Sequence, residues 1–164
     1  MEDRINYYIL LPAIFLLFFV QTTFIAQIFW GFSAPNLVFI FLLSAALLSC
    51  TSDFFYIILL FGFLFDVLSG KNFGVYMLSF SFACVAACYL KLKFLKEKNY
   101  FIRVAAVSVL ATLVYNIIYF ALSFFVFSTE FSFSGFAAKK ILFDLIYASV
   151  LTYPIMYLIS KKEQ

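Results

Sequence analysis

Histidine is absent from this 164-residue chain, which removes the commonest general base and the commonest metal ligand. Charge is scarce as well. Eleven Lys and Arg and eight Asp and Glu make up 12% of the residues, against about a quarter in soluble globular domains. So few charges cannot cover the surface of an 18.9 kDa globule, and a soluble fold is excluded. Outside residues 91–103 nothing supplies a basic face, so nucleic acid is not an expected partner. The three cysteines, Cys50, Cys84 and Cys88, are odd in number and lie within apolar runs. They imply no disulfide framework and read as small packing residues. No internal repeat and no low-complexity linker interrupts the chain, so residues 1–164 read as one domain.

What the chain has in abundance is hydrocarbon: 66% hydrophobic residues, 26 Phe and a mean hydropathy of +1.10. These values describe an integral membrane protein. Six apolar segments can be cut out, at about 8–30, 36–51, 54–70, 73–91, 101–127 and 140–159. A span needs about 20 apolar residues, so the second and third segments are short and could also merge into one bent element. The first run is too long for the core of a cleaved signal and is expected to stay as a span. Charge decides the count. With six helices and the N-terminus inside, Arg4, Lys91, Lys93, Lys96, Lys98, Arg103, Lys161 and Lys162 gather on the cytoplasmic side, leaving Lys71, Lys139 and Lys140 outside. Five helices from the same start would place the 91–103 cluster outside. The expected fold is therefore an all-α polytopic membrane bundle of six transmembrane helices with both termini cytoplasmic.

Helices that are apolar nearly all round pack in lipid through small residues and polar contacts. In the fourth span Ser79, Ala83 and Ala87 recur every four residues beside Cys84 and Cys88. In the fifth, Ser108, Thr112, Tyr115, Asn116, Tyr119 and Ser123 form a polar stripe predicted to face the interior, where hydrogen bonding between helices is its plainest use and ligand or partner contact the other. The basic run 91–103 reads first as a topology determinant lying on anionic lipid, and second as a docking site for a cytoplasmic protein.

The stretch from Gly62 to Gly74 sets one carboxylate, one lysine and three glycines between two long apolar runs. As a helix up to Ser69, it puts Gly62, Asp66, Ser69 and Gly70 on one face, which is unsuited to lipid and should face the protein. Asp66 would lie near the negative end of its own helix dipole, and a carboxylate at membrane depth costs on the order of 3 kcal/mol, so a compensating partner is expected. Three suggest themselves: Lys71, the N-terminus of a fourth helix beginning near Asn72, and Lys140. Ser69-Gly70 would stop the helix, and Gly74 would allow close backbone approach. Lys140 and Asp144 are themselves four residues apart, with Asp144 well placed in the first turns of the sixth helix. Gln21 is an interior amide expected to bond across helices, and Pro35-Asn36 has the form of a helix start.

Gln21 in the first span, Pro35-Asn36 opening the second, and Gly62-Phe-Leu-Phe-Asp66-Val-Leu-Ser69-Gly70 with Gly74 before another span closely resemble the bacterial rod shape-determining protein MreD family. Length and six-span layout match over essentially the whole chain. One departure is Asn36, where the family often has Asp. The resemblance implies a non-enzymatic inner-membrane component of the cell-elongation machinery. Its implied partners are MreC directly, and RodA, penicillin-binding protein 2 and the actin-like MreB as complex members. It also implies a fold similar to the substrate-binding membrane subunits of energy-coupling vitamin transporters.

Two functions compete. A membrane scaffold would use aromatic and small-residue faces to hold partner helices, with no cofactor. A small-molecule binding subunit of a transporter would line an outward pocket with Asp66, Asn116, Lys140 and Asp144. An intramembrane enzyme is disfavoured, because there is no His, no nucleophile with a base, and no carboxylate pair at plausible spacing.

Overall fold

A computed structural model of the protein describes residues 7–25, 36–69, 73–94, 100–125 and 135–161. Within them the chain is helical, with no strand. Helix α1 (Tyr7–Val20) runs on into a π-helical turn (Gln21–Ile25). It is followed by α2 (Leu37–Leu48), α3 (Ser52–Ser69), α4 (Val75–Phe94), α5 (Tyr100–Phe125) and α6 (Gly135–Lys161). The second and third apolar segments are thus two separate helices, broken at 49–51. Val75–Phe94, Phe101–Phe125 and Lys139–Ile159 are long and apolar enough to cross a membrane, whereas Leu11–Thr23 and Leu37–Leu48 are shorter apolar helices.

The shortest helix sits in the middle. α2 has no charged residue, and from Val38 to Leu47 its side chains are nearly all buried, because it packs against α1, α4, α5 and α6. A helix surrounded by others can be apolar on every face. Its twelve residues rise only about 18 Å. Ser44, Ala45 and Ala46 let neighbours approach, and Ser44 Oγ donates to the Thr152 carbonyl of α6 at 3.3 Å. Ser108 Oγ likewise donates to the Ala148 carbonyl at 3.3 Å, joining α5 to α6. Each of these hydroxyls also bonds within its own helix, so none is left unsatisfied in an apolar interior. The expected small-residue row of the fourth span is where it should be, with Ser79, Ala83 and Ala87 fully buried.

Aromatic rings fill the space between helices. Phe39 of α2 stacks on Tyr115 of α5 at 4.5 Å and on Phe80 of α4 at 5.3 Å. Phe80 meets Phe65 of α3, which in turn meets Phe18 of α1 edge-on at 5.0 Å. Five helices are thereby tied through one run of rings, an arrangement in which each pair adds about 0.5–1.5 kcal/mol beyond area burial.

The expectation that the cysteines only fill space needs correction. Cys50, just beyond α2, and Cys88 of α4 are joined as a disulfide, with Cα atoms 5.9 Å apart and a sequence separation of 38. Spacing along the chain could not show this, since the pairing depends on how α2 and α4 cross. Cys84 is free and buried, as expected.

Two basic residues of the 91–103 run also hold helix ends. Lys91 Nζ donates to the Leu48 carbonyl at the C-terminus of α2 at 2.8 Å, and Arg103 donates to the Phe94 carbonyl at the end of α4 at 2.8 Å. A cation at a helix C-terminus satisfies an orphan carbonyl and complements the dipole.

Candidate functional site

The stretch from Gly62 to Gly74 forms a lock on a helix start. α4 begins at Val75 with Gly74 in the cap position, not near Asn72 as expected. Gly74 has no side chain to offer the free amides of the first turn. Asp66, from the preceding helix, supplies the acceptors: Oδ1 takes the Tyr76 N–H at 2.9 Å and Oδ2 takes the Met77 N–H at 3.0 Å. A carboxylate on first-turn amides is charge-assisted and complements the positive end of the dipole. Of the three partners considered for Asp66, the helix N-terminus is in contact. Lys71 lies outside the described residues, as do Pro35 and Gly70, and of Ser69 only the backbone is described, as the last residue of α3.

Gly62 faces the protein as expected, but Gly74 does not take its expected role. Gly74 is not at a close approach: a Cβ there would meet nothing within 4 Å, and what requires glycine is a φ of +94°. The close approach is at Gly62, one turn before Asp66, where a Cβ would lie 2.5 Å from Met77 Cα and 3.0 Å from Met77 N. Gly62 therefore lets α3 come near enough for the Asp66 carboxylate to reach the α4 amides.

Gln21 and Asn36 repeat the device one hairpin earlier. Asn36 caps α2, its Oδ1 accepting from the Phe39 N–H at 3.0 Å. Gln21, from the π-helical turn ending the first helix, accepts the Val38 N–H at 2.9 Å through Oε1 and donates from Nε2 to Asn36 Oδ1 at 3.2 Å. In both hairpins a polar side chain near the end of one helix satisfies first-turn amides of a later one. Gln21→Leu, which removes both contacts and leaves the Val38 amide without that acceptor, should lower stability by about 1–3 kcal/mol. Thermal unfolding of the detergent-purified protein checks this, and an unchanged midpoint would show that the α2 start is held by Asn36 alone.

The polar stripe of α5 lies inside, with Ser108, Thr112, Tyr115, Asn116 and Ser123 buried and Tyr119 half-buried. It connects the two locks. Tyr115 stacks on Phe39, whose N–H is held by Asn36, and Tyr119 packs on Tyr76 at 5.3 Å. On the other side Lys140 Nζ sits over the Tyr119 ring, 4.6 Å from its centroid, near enough to act on Asp144 electrostatically. Asn116 donates to the Thr112 carbonyl at 3.0 Å and lies near Asp144. Among the described residues, Asn116 Oδ1 and Asp144 Oδ2 are buried without a partner.

Gln21, Asn36, Asp66, Asn116, Lys140 and Asp144 thus belong to one belt of contacts. Tyr76, which sequence reasoning passed over, links Asp66 to Tyr119. Its only sequence signal is a position two residues past a glycine that precedes an apolar run. The belt lies at the N-terminal ends of α2 and α4; the disulfide and the Lys91 bond lie at their opposite ends.

Chemically, the belt's best-defined atoms are occupied in holding helices. Both Asp66 oxygens accept backbone N–H groups. Among the described residues, no group of three or more His, Cys, Asp or Glu could hold a metal ion.

Neither a curated protein nor a solved structure matches the chain. The family model of the rod shape-determining protein MreD matches residues 3–162. With nearly the whole chain matched and an all-helical, strongly apolar fold, this is a membrane protein that belongs to the MreD family, with a part in determining rod shape.

Proposed function

We propose that the chain is a non-enzymatic scaffold of the cell-elongation complex in the bacterial inner membrane. It crosses the membrane six times with both termini in the cytoplasm, binds MreC directly, and joins RodA, penicillin-binding protein 2 and MreB as complex members in supporting peptidoglycan synthesis. The observation that carries this reading is the state of Asp66. Its oxygens accept the Tyr76 and Met77 amides, which makes the stretch from Gly62 to Gly74 a device for fixing helix geometry. A fixed geometry is what a docking surface for partner helices requires. The distribution of Lys and Arg supports the orientation, and membrane lipid completes the surroundings.

Purification in mild detergent with a tagged MreC from the same organism tests it. MreC is expected to be retained through washing, and to be lost when Asp66 is replaced by Ala. Full retention by a folded Asp66→Ala protein would remove this stretch from the docking geometry, and absence of MreC from the wild-type preparation would overturn the scaffold reading.

One observation favours a second reading, a small-molecule (vitamin-like) binding subunit of a transporter. Asn116 Oδ1 and Asp144 Oδ2 are acceptors that a ligand carrying N–H or O–H groups would satisfy. Mass spectrometry of the same preparation separates the two, since a stoichiometric small molecule or a pair of ATPase subunits would replace the scaffold.

A further inference from the structure

We propose that Cys50 and Cys88 are a reversible thiol–disulfide latch between α2 and α4, reduced in growing cells and closed by oxidation. The proposal rests on the orientation given under Proposed function, which puts the Lys91 end of α4 in the cytoplasm. Thiols in that compartment are kept reduced, and disulfides there are usually transient or sensing. A cysteine pair held at bonding geometry on that side is therefore positioned to respond to oxidants rather than to staple the fold.

Three features of the corner fit this use. Cα atoms 5.9 Å apart lie within the range a disulfide spans. The corner is held without the bond, because Lys91 Nζ clasps the Leu48 carbonyl at 2.8 Å, two residues before Cys50. Both sulfurs also face the Ala46 carbonyl, Cys50 Sγ at 3.0 Å and Cys88 Sγ at 3.7 Å, which gives the reduced thiols an acceptor to rest on.

Exposure sets the order of events. Cys50 is exposed and Cys88 half-buried, so the Cys50 thiolate meets the incoming oxidant, here a low-molecular-weight or protein disulfide. It attacks one sulfur of that disulfide, forming a mixed disulfide and releasing the first thiol. The Cys88 thiolate then attacks the Cys50 sulfur, forming the Cys50–Cys88 bond and releasing the second thiol. The two protein thiols give up two electrons and two protons, and both appear in the two thiols released. Cys84, fully buried in the core, takes no part.

Counting thiols in the full-length protein tests this. Cells are quenched in acid, the protein is denatured and alkylated, and intact mass is read. From growing cells all three cysteines should take the label, and after brief exposure to diamide only one. Cys84→Ser should shift from two labels to none, and Cys50→Ser should take two labels under both conditions. Three labels in wild type under both conditions would overturn the latch, since the pair would not close. One label under both would overturn it too, as a permanent disulfide. These outcomes are separate from the scaffold reading: retention of MreC with a constant thiol count removes the latch alone, whereas loss of MreC with a normal thiol response removes the scaffold alone.

Discussion

Asp66→Ala is expected to cost about 2–4 kcal/mol, because it removes two charge-assisted bonds to a helix start at once. The Tyr76 and Met77 amides then face an apolar interior, and Gly74 has no side chain to replace the lost acceptor. The sign follows from burial. Asp66 is 3% exposed, so water cannot take over from the carboxylate. Asp66→Asn keeps one acceptor oxygen and should lose roughly half as much. Thermal unfolding in detergent and the amount of protein in membranes measure both, with loss of rod shape as the downstream sign in cells. Equal losses for Ala and Asn would show that charge, rather than the count of acceptors, does the holding. Normal rod growth at normal protein level with Asp66→Ala would remove the residue from any central role.

Gly62→Ala should be destabilising by about 1–3 kcal/mol or more, although alanine is the better helix former by about 1 kcal/mol. The added methyl would stand 2.5 Å from Met77 Cα, a backbone atom that no rotamer change moves, so α3 and α4 must separate. Separation also stretches the Asp66 bond to the Met77 N–H, which lies on the same face one turn on. The two substitutions should therefore be less than additive: once Asp66→Ala has broken the clasp, Gly62→Ala has less left to break. A double-mutant cycle on unfolding midpoints measures the coupling. Additivity within about 0.5 kcal/mol would mean that helix approach and amide capture are independent, contrary to the geometry.

Much of the molecule was legible from local pattern. Membrane class followed from the scarcity of charge. Helix identity followed from long apolar runs, and the interior faces of α4 and α5 from Ser79, Ala83 and Ala87 and from the polar stripe that includes Asn116. Asn36 as a helix start was legible for the same reason, because a cap serves the turn beside it. Gln21 was legible as an interhelical donor and acceptor, but not in its partner, the Val38 amide.

The site residues mark where that legibility ends. Three groups near Asp66 could each have balanced its charge, and nothing along the chain ranks them. Gly74 was expected at a close approach and stands instead at a positive φ, while the close approach falls at Gly62: both call for glycine, and only the fold shows which is present. Cys50 and Cys88, read as packing residues, are partners across 38 residues. By itself, then, the sequence determined the solvent, the helices and the inward faces of α3, α4 and α5, because backbone periodicity and hydrocarbon transfer act over one or two turns. The tertiary structure alone decided which helix crosses which and how closely. That choice makes an α4 start the partner of Asp66, Met77 the limit on Gly62, and one corner of α2 and α4 the meeting place of two sulfurs.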